Sequence, residues 1–490
     1  MVAEAPDVGA SQGFTNGALA PKESPVPHDR VFHFTDLGLT KPQRAGDPYD
    51  YQAGFGNHFE SELIPGTLPI GQSHPHVCRF NLYTEMLTAS AFAAPRHSNF
   101  STVLYRTRPS CASGKHLVLL GAGGKKLPHK LIRESLDFEV DVKARAKWES
   151  CFLARNPRVA MVASQLEWRP FDLPDERTDF IDGVRTLGGS GDANLRDGVA
   201  LGIFTLNARM DHRAIANADG EALVVTQLGN LDIQTELGKL YLQPGEICVI
   251  PRGIRHCINP AEGTQEARGY IIEIFGSRWQ LPELGPIGSH GLANKRDFLT
   301  PLAFIDENLH EPWQIFTKIN GAYNIRSQDH SPFDVAAWQG NCVPYKVSSI
   351  PFLSRNKIVH SPSPQYDMTK FVSVSSVSVD HTDPSIYTIL TAPSRDPNTP
   401  LADFLWFGPH WDVALNTFRP PYFHRNAASE FLANIYSNNL SGGRSSNFKS
   451  GGGSYEAGHI PHGGFTPAYF SEMKKMKNEP RVIFPGNGSF

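Results

Sequence analysis

The 490-residue chain predicts an all-β-dominated fold of two sandwich or barrel domains with few short helices. In residues 230–238, NLDIQTELG, apolar Leu231 and Ile233 alternate with polar Asp232 and Gln234, which is the two-residue period of a half-buried strand. Similar short strands separated by turn residues recur up to about residue 280. The 43 glycines and 38 prolines disfavour long helices.

The strand pattern divides the chain into a tail and two domains. Residues 1–46 are rich in Ala, Pro, Gly, Ser and charge without a period that would bury one face, so they predict a flexible tail. Residues 47–284 predict the first β-sandwich. The Pro- and Gly-rich stretch 281–298, LPELGPIGSHGLANKRDF, predicts a connection. Alternation resumes beyond it, for example in residues 370–390, so residues 285–490 predict a second β domain.

The composition indicates which class of partner the protein binds and in which cellular compartment it lies. The net charge is -3 and the basic residues are spread along the chain, which argues against nucleic acid and favours a small uncharged or anionic molecule. The six cysteines are widely spaced, as expected for reduced thiols in a cytoplasmic protein. The sequence shows neither a signal peptide nor an apolar run of the roughly 20 residues that span a bilayer. We therefore expect a soluble cytoplasmic protein without membrane partners.

A candidate metal site begins in residues 421–431, PYFHRNAASEF, where His424 and Glu430 stand six positions apart. Metal ligands each lie about 2.0 to 2.2 Å from the ion, so their side chains must converge. Six positions along a straight strand span roughly 20 Å, and six positions on a helix give different faces. Only a chain that turns between the two residues would bring both to one ion, and residues 425–429 permit such a turn.

A third ligand is available in residues 451–464, GGGSYEAGHIPHGG, which contain His459 and His462. Two histidines and one carboxylate form the facial triad that holds a non-haem Fe(II) and leaves three positions open. From the residues alone, either histidine could complete the set. Unrelated surface histidines in glycine-rich loops are the alternative interpretation.

Six stretches of sequence, in order from about residue 48 to about residue 485, resemble the homogentisate 1,2-dioxygenase family. They are YQAGFGNHFESE (51–62), IPGTLPIGQ (64–72), LGPIGSHGLANKRDF (284–298), DHTDPSIYTILTAP (380–393), FRPPYFHRNAASEF (418–431), and GGGS with PHG (451–454 and 461–463).

The resemblance implies the architecture and the reaction. The fold would be a cupin-like jelly roll in two domains, with Fe(II) held only in the C-terminal domain, and the assembly would be a homo-oligomer, either a trimer or a hexamer. The expected activity is Fe(II)-dependent cleavage of the homogentisate ring by dioxygen to maleylacetoacetate, a step in tyrosine and phenylalanine catabolism.

The resemblance also implies roles for individual residues. His424, Glu430 and His462 match the family's iron ligands, so His459 is expected to be an exposed loop or pocket residue. His381 matches the active-site histidine that acts on the substrate's hydroxyl groups. An imidazole with a pKa near 6.5 can accept and return a proton at neutral pH, which suits a general acid and base.

Residues 245–259, GEICVIPRGIRHCIN, resemble the second cupin motif, which ends in a metal ligand at the position of His256. The first cupin motif should supply further ligands upstream, yet residues 205–240 offer only His212 and scattered acids. Because one histidine does not hold a metal, we expect His256 to be structural and the N-terminal domain to be metal-free.

Three departures from the family leave the substrate open. About 20 extra residues lie between Tyr345 and Tyr366, and the chain ends earlier than its relatives usually do. The family's tyrosine that holds the substrate carboxylate is replaced by Asn439, and Tyr436 lies three residues earlier. Tyr436, Asn439 and His462 are thus candidate substrate-binding residues. The alternatives are the same chemistry on a related dihydroxyaromatic acid, or a non-catalytic binding protein with two cupin domains.

Overall fold

A computed structural model describes most of the chain from residue 46 onwards. The described residues are 46–71, 78–111, 116–117, 147–283, 295–348, 387–396, 399–406, 410–412, 417–418, 423–436, 444–464, 466–474, 476–477 and 481–483. The predicted tail up to residue 45, the extra segment before Tyr366, His381 and Asn439 lie outside them.

Short strands form most of the described structure. Up to residue 283 they are β1 (Tyr51–Ala53), β2 (Phe59–Glu62), β3 (Tyr83–Thr88), β4 (Ser101–Arg106), β5 (His116–Leu117), β6 (Gln165–Trp168), β7 (Val184–Asp192), β8 (Asp197–Leu206), β9 (Arg213–Asn217), β10 (Glu221–Leu228), β11 (Leu231–Thr235), β12 (Gly238–Leu242), β13 (Glu246–Ile250), β14 (Arg255–Pro260) and β15 (Ala267–Phe275). From residue 295 they are β16 (Phe298–Pro301), β17 (Trp313–Ile319), β18 (Ala322–Gln328), β19 (Val335–Gly340), β20 (Tyr345–Ser348), β21 (Tyr387–Pro393), β22 (Pro400–Trp406), β23 (His410–Asp412), β24 (Thr417–Phe418), β25 (Glu430–Ala433), β26 (Gly453–Glu456), β27 (Met476–Lys477) and β28 (Arg481–Ile483).

Helices are few and short in the described segments. The α-helices are α1 (Phe180–Gly183) and α2 (Pro467–Met473). Single 3₁₀ turns cover Arg79–Asn81, Arg96–Ser98, Ala193–Leu195 and Lys295–Asp297. None of these helices has the length and apolar character needed to cross a bilayer.

Two large sheets organise the fold. The first has the order β1-β16-β20-β13-β10-β15-β8-β7, and the second has the order β12-β11-β14-β9-β17-β18-β5. Neighbouring strands are antiparallel, apart from the parallel pair β9 and β17. Smaller sheets have the orders β2-β19-β4-β3 and β25-β26-β6, and the pairs β21-β22, β23-β28 and β24-β27 complete the set.

The main core fills the space between the two large sheets. Ala222 and Val224 of β10, in the first sheet, belong to the same buried cluster as Ile215 and Ile258 of the second sheet. Side chains alternate between the faces of a strand, so these residues mark the inner face of a β-sandwich. Strand β11, where the sequence alternation was cleanest, has the predicted alternating burial.

The first sheet is covered on its outer face as well. Leu223 and Val225, which alternate with the inner residues of β10, lie in a second cluster with Ile389, Phe404 and Ala433 from the C-terminal part of the chain. A strand that is buried on both faces needs apolar residues at successive positions, which explains the run ALVV. The first sheet therefore supports the C-terminal segments on its outer face.

The strand-rich sandwich confirms the all-β prediction. The predicted division at residue 284 stays a prediction. Strands between Phe298 and Ser348 pair with strands from before residue 284, since β16 joins β1, β17 joins β9 and β20 joins β13.

Candidate metal centre

The predicted ligands lie on two chain segments that run antiparallel, residues 423–433 and 453–464, which we call the ribbon. At one end Glu430 of β25 pairs with Glu456 of β26. At the other end His424 and His462 form an isolated bridge, in which each backbone N–H donates to the carbonyl of the other residue, at 3.1 and 3.0 Å. Directly paired residues of an antiparallel ribbon have side chains on the same face.

The ribbon bends between these two pairs. Six positions separate the pairs on each strand, so the register is the same on both sides of the bend. The chain bends at Ala427 and Ala428, and the facing strand turns at Gly458 and His459, whose φ of 59° is left-handed. The turn that the His424–Glu430 spacing required is therefore present, and it folds both ends of the ribbon towards one point.

The three predicted ligand side chains converge at that point. The Nε2 atoms of His424 and His462 are 3.1 Å apart, and the Glu430 Oε1 atom lies 3.6 Å from the first and 3.5 Å from the second. Two donors about 2.1 Å from a metal and at right angles to each other are about 3.0 Å apart. Two imidazoles and a carboxylate at these separations fit the facial set of a divalent metal. In the described part of the chain, this is the group of three or more such donors that could hold an ion.

Local hydrogen bonds orient two of the ligands. The Nδ1 atom of His462 lies 2.8 Å from the Ile460 carbonyl, and a carbonyl accepts only from an N–H, so the proton is on Nδ1 and the Nε2 lone pair faces the site. The Asn426 side-chain amide donates to Glu430 Oε1. That contact holds the carboxylate towards the two histidines.

The three candidate ligands differ in how far their side chains are exposed to solvent. The His462 side chain is 4% exposed, whereas the side chains of His424 and Glu430 are 33% and 32% exposed. One candidate ligand is therefore embedded in the protein, and the other two candidates line an open side. An open side is what a substrate and dioxygen would need to reach the metal.

The ribbon is fixed to the rest of the fold by aromatic and backbone contacts. Strand β26 also pairs with β6, and the Trp168 ring of β6 lies 5.6 Å from the Phe431 ring. A Cβ atom on Gly453 would lie 2.6 Å from the Trp168 ring, so only glycine fits this position. The Tyr270 hydroxyl of β15 donates to the carbonyl of Gly452, the residue before the ribbon segment 453–464, at 2.9 Å. This hydrogen bond connects the ribbon to the first sheet.

Sequence reasoning missed a polar group beside the ligands. Glu456 is fully buried opposite Glu430, and Arg444 Nη1 donates to its Oε1 at 2.5 Å. Asn426 lies in the turn between His424 and Glu430, and Gln165, which contacts Arg444, lies almost 300 positions upstream of His462. The one available signal was the alternation of Ser454 and Glu456 in the GGGSYE stretch, which places an acid on the inner face.

The other candidates have different positions. His459 is exposed, as expected, and does not belong to the metal-donor group. The Tyr436 hydroxyl donates to the Pro244 carbonyl. Its role in substrate binding stays a prediction, as do the roles of His381 and Asn439 outside the described residues. His256 is buried with Nδ1 2.9 Å from the Ile254 carbonyl, and burial lowers its pKa to about 4.

Solved structures with partial similarity include the protein Ylba from E. coli, with a TM-score of 0.26, 8% identity, and coverage of 68% of this chain and 92% of that chain. A cupin family protein with a double-stranded β-helix fold from Methanocaldococcus jannaschii has a TM-score of 0.15 and 8% identity, and covers 25% of this chain and 87% of that chain. At such scores the fold assignment depends on the strand pairing described above.

Sequence similarity is far more extensive. The family described as homogentisate 1,2-dioxygenase N-terminal matches residues 50–127 and 132–348, and its C-terminal counterpart matches residues 369–485. Proteins named homogentisate 1,2-dioxygenase are 42% identical over 426 residues in Arabidopsis thaliana (87% of this chain, 82% of that protein), 40% over 447 in Drosophila melanogaster (90% and 90%) and 40% over 446 in Homo sapiens (90% and 88%). With both halves matched and most of each relative covered, the chain belongs to the homogentisate 1,2-dioxygenase family.

Proposed function

We propose that this chain is an Fe(II)-dependent dioxygenase that opens the ring of homogentisate to give maleylacetoacetate. The observation that carries the proposal is the convergence of His424, Glu430 and His462 with one open side, in a chain of this family. Both atoms of dioxygen enter the product, so the reaction needs no external reductant.

The metal and the protein contribute differently. Fe(II), when bound, supplies a centre at which dioxygen and the substrate can exchange electrons. The protein's own part is to hold the three ligands on one side, so that the remaining positions face the opening. The edge at His424 and Glu430, where each side chain is about one-third exposed, is the side from which a flat aromatic ring can approach.

Proton transfer is the proposed role of His381. Ring opening requires that phenolic protons leave the substrate and return to the product. An imidazole with an ordinary pKa near 6.5 exchanges protons readily at neutral pH. Tyr436 and Asn439 are the proposed contacts for other parts of the substrate, together with His462.

The setting of the enzyme is also part of the proposal. A place in tyrosine and phenylalanine catabolism follows from the proposed substrate. All six cysteines are free thiols, which supports a reducing, cytoplasmic compartment. A homotrimer or homohexamer is the proposed assembly, and light scattering on the purified protein would measure its mass.

Anaerobic purification with Fe(II), followed by iron analysis and an oxygen electrode, tests the function. We expect about one iron per chain, a stoichiometry that follows from one facial site, with dioxygen uptake on homogentisate and equimolar formation of the ring-opened acid. Iron binding without uptake on homogentisate would contradict the proposal. A panel of other dihydroxyaromatic acids would then test the second candidate, which the Asn439 replacement favours.

A further inference from the structure

The positive charge of Arg444 has no role in the function proposed above. Arg444 contacts Glu456, and Glu456 pairs directly with the ligand Glu430 across the ribbon. Side chains of directly paired residues have Cβ atoms about 4.5 to 5.5 Å apart and point to the same face. Arg444 therefore contacts a side chain that lies on the same face of the ribbon as the side chain of Glu430.

The Arg444 side chain is held by hydrogen bonds from Nη1, while its other N–H groups are available to a ligand. In the amide orientation that satisfies both neighbours, Gln165 accepts from Arg444 Nη1 at 3.0 Å and donates to the carbonyl of Gly463, next to His462, at 3.2 Å. The guanidinium also lies 5.4 Å from the Phe448 ring centre. Among the described residues the hydrogen-bonded nitrogen is Nη1, so the Nη2 and Nε groups of this five-donor side chain remain available.

Burial and charge indicate what Arg444 would bind. Its side chain is 19% exposed, whereas Glu456 is fully buried, so the cation is the part of the pair that can meet a ligand. Two carboxylates, Glu430 and Glu456, would cancel the charge of a divalent metal. Arg444 makes the sum positive, as the binding of an anionic ligand requires, and a guanidinium suits a carboxylate because it can donate two parallel hydrogen bonds.

We propose that Arg444, braced by Glu456 and Gln165, binds the side-chain carboxylate of the aromatic substrate and selects acids over uncharged dihydroxybenzenes. This inference deepens the proposed function and rests on it. It supplies a carboxylate contact in a chain where Asn439 stands in the place of the family's tyrosine.

Two ligands that differ only by the carboxylate provide the measurement. The dissociation constants of homogentisate and of methylhydroquinone, which has the same ring without the acid, are measured calorimetrically on the iron-loaded protein without dioxygen. Binding is thereby separated from turnover. Steady-state kinetics with dioxygen then divide the effect between KM and kcat.

Removing Arg444 alone would leave Glu456 as a fully buried charge without its partner, so the main variant removes both groups. Arg444→Gln combined with Glu456→Gln removes both charges, while Glu456→Gln alone retains the guanidinium. Arg425→Gln is the matched control, since Arg425 is an exposed arginine next to the ligand His424. Iron content and the unfolding midpoint of each variant establish that the centre is intact.

We expect the double variant to lose about tenfold to a hundredfold of its preference for homogentisate, as the loss of a charge-assisted contact predicts. The loss should be in affinity and KM, with methylhydroquinone binding unchanged. Arg425→Gln should keep the preference, and Glu456→Gln, which removes the brace but retains the guanidinium, should lose less of it than the double variant. An unchanged preference in the double variant, an equal loss in Arg425→Gln, or no preference in the unmodified protein would overturn the proposal. Preferential binding without turnover would instead count against the proposed function alone.

Discussion

The sandwich core and the C-terminal ribbon each hold a histidine in the same way. His256 on β14 and His462 in the ribbon both have Nδ1 close to the carbonyl two residues earlier, at 2.9 and 2.8 Å. In both cases the Nε2 lone pair is left for another partner. The local sequences, GIRH and HIPH, give no hint that their roles differ.

The surroundings separate the two histidines. His462 meets a second imidazole and a carboxylate, because the bent ribbon carries His424 and Glu430 to it. His256 is buried in the sandwich, where it pairs with Thr235 of β11 and Ile215 of β9, and in the described segments it belongs to no group of three metal donors. A well-oriented imidazole can serve as a metal ligand only where the backbone brings other donors into reach.

Glu430→Gln should have the largest effect, because it removes the carboxylate that distinguishes the surroundings of His462 from those of His256. The amide keeps the size of the side chain but lacks the negative charge that binds a divalent cation, so we expect iron content and dioxygen uptake to fall by at least about a hundredfold. The unfolding free energy should change by less than about 1 kcal/mol, since the side chain is one-third exposed. Iron analysis and an oxygen electrode measure the first effect. The exposed Glu262→Gln is the control, and a variant that keeps its iron would contradict the assignment.

Lys318→Met tests the opposite region, where charge serves stability. Lys318 is fully buried between Glu273, at 2.8 Å, and Asp219, at 3.0 Å. Its removal leaves two buried carboxylates without their cation, and we expect a loss of about 3 to 5 kcal/mol in denaturant unfolding. The folded fraction should still bind iron.

The exposed Lys474→Met is the matched control for that experiment. A Lys318 variant as stable as the unmodified protein would show that the buried ion pairs contribute nothing net.

His256→Gln should alter the pH dependence of stability. Burial lowers the pKa of His256 from 6.5 to about 4, so between these values the unfolded chain binds the proton and the folded chain does not. Stability is therefore lost as the pH falls from 6.5 towards 4, by up to about 3 kcal/mol. The variant should lack this part of the slope when unfolding free energies are compared at pH 7 and pH 4.5. His459→Gln, at an exposed histidine, should keep the full slope.

Gly464→Ala should have the smallest effect and would sharpen the view of the ribbon as a packed support. An added Cβ would lie 2.1 Å from the Tyr469 ring, so the chain after His462 must shift. We expect a loss of about 1 to 3 kcal/mol in unfolding free energy and weaker iron binding. Gly188→Ala, where a Cβ would meet nothing within 4 Å, is the control. Equal stability of the two variants would show that the loop can relax freely.

Prediction from the sequence succeeded where a local pattern maps directly to structure. The alternation in β11 follows from its own residues, and the bend between His424 and Glu430 was predicted from their spacing and from intervening residues that permit a turn. The exposed position of His459 was expected from the resemblance to the family. Prediction failed to find Glu456, Arg444 and Gln165, because their meeting depends on strand register and on a partner strand far away in the sequence.

Short stretches of the sequence are enough to predict the strand-rich fold class and the types of metal donor, because alternation and side-chain chemistry are local properties. The tertiary structure is needed to bring His462 to Glu430 and His424 and to leave His256 buried without other metal donors among the described residues. It also brings the Arg444 guanidinium to Glu456, the residue that pairs with Glu430. Convergence is the sum of a bend, a register and a supporting sheet, and these are contacts between residues that no single stretch contains.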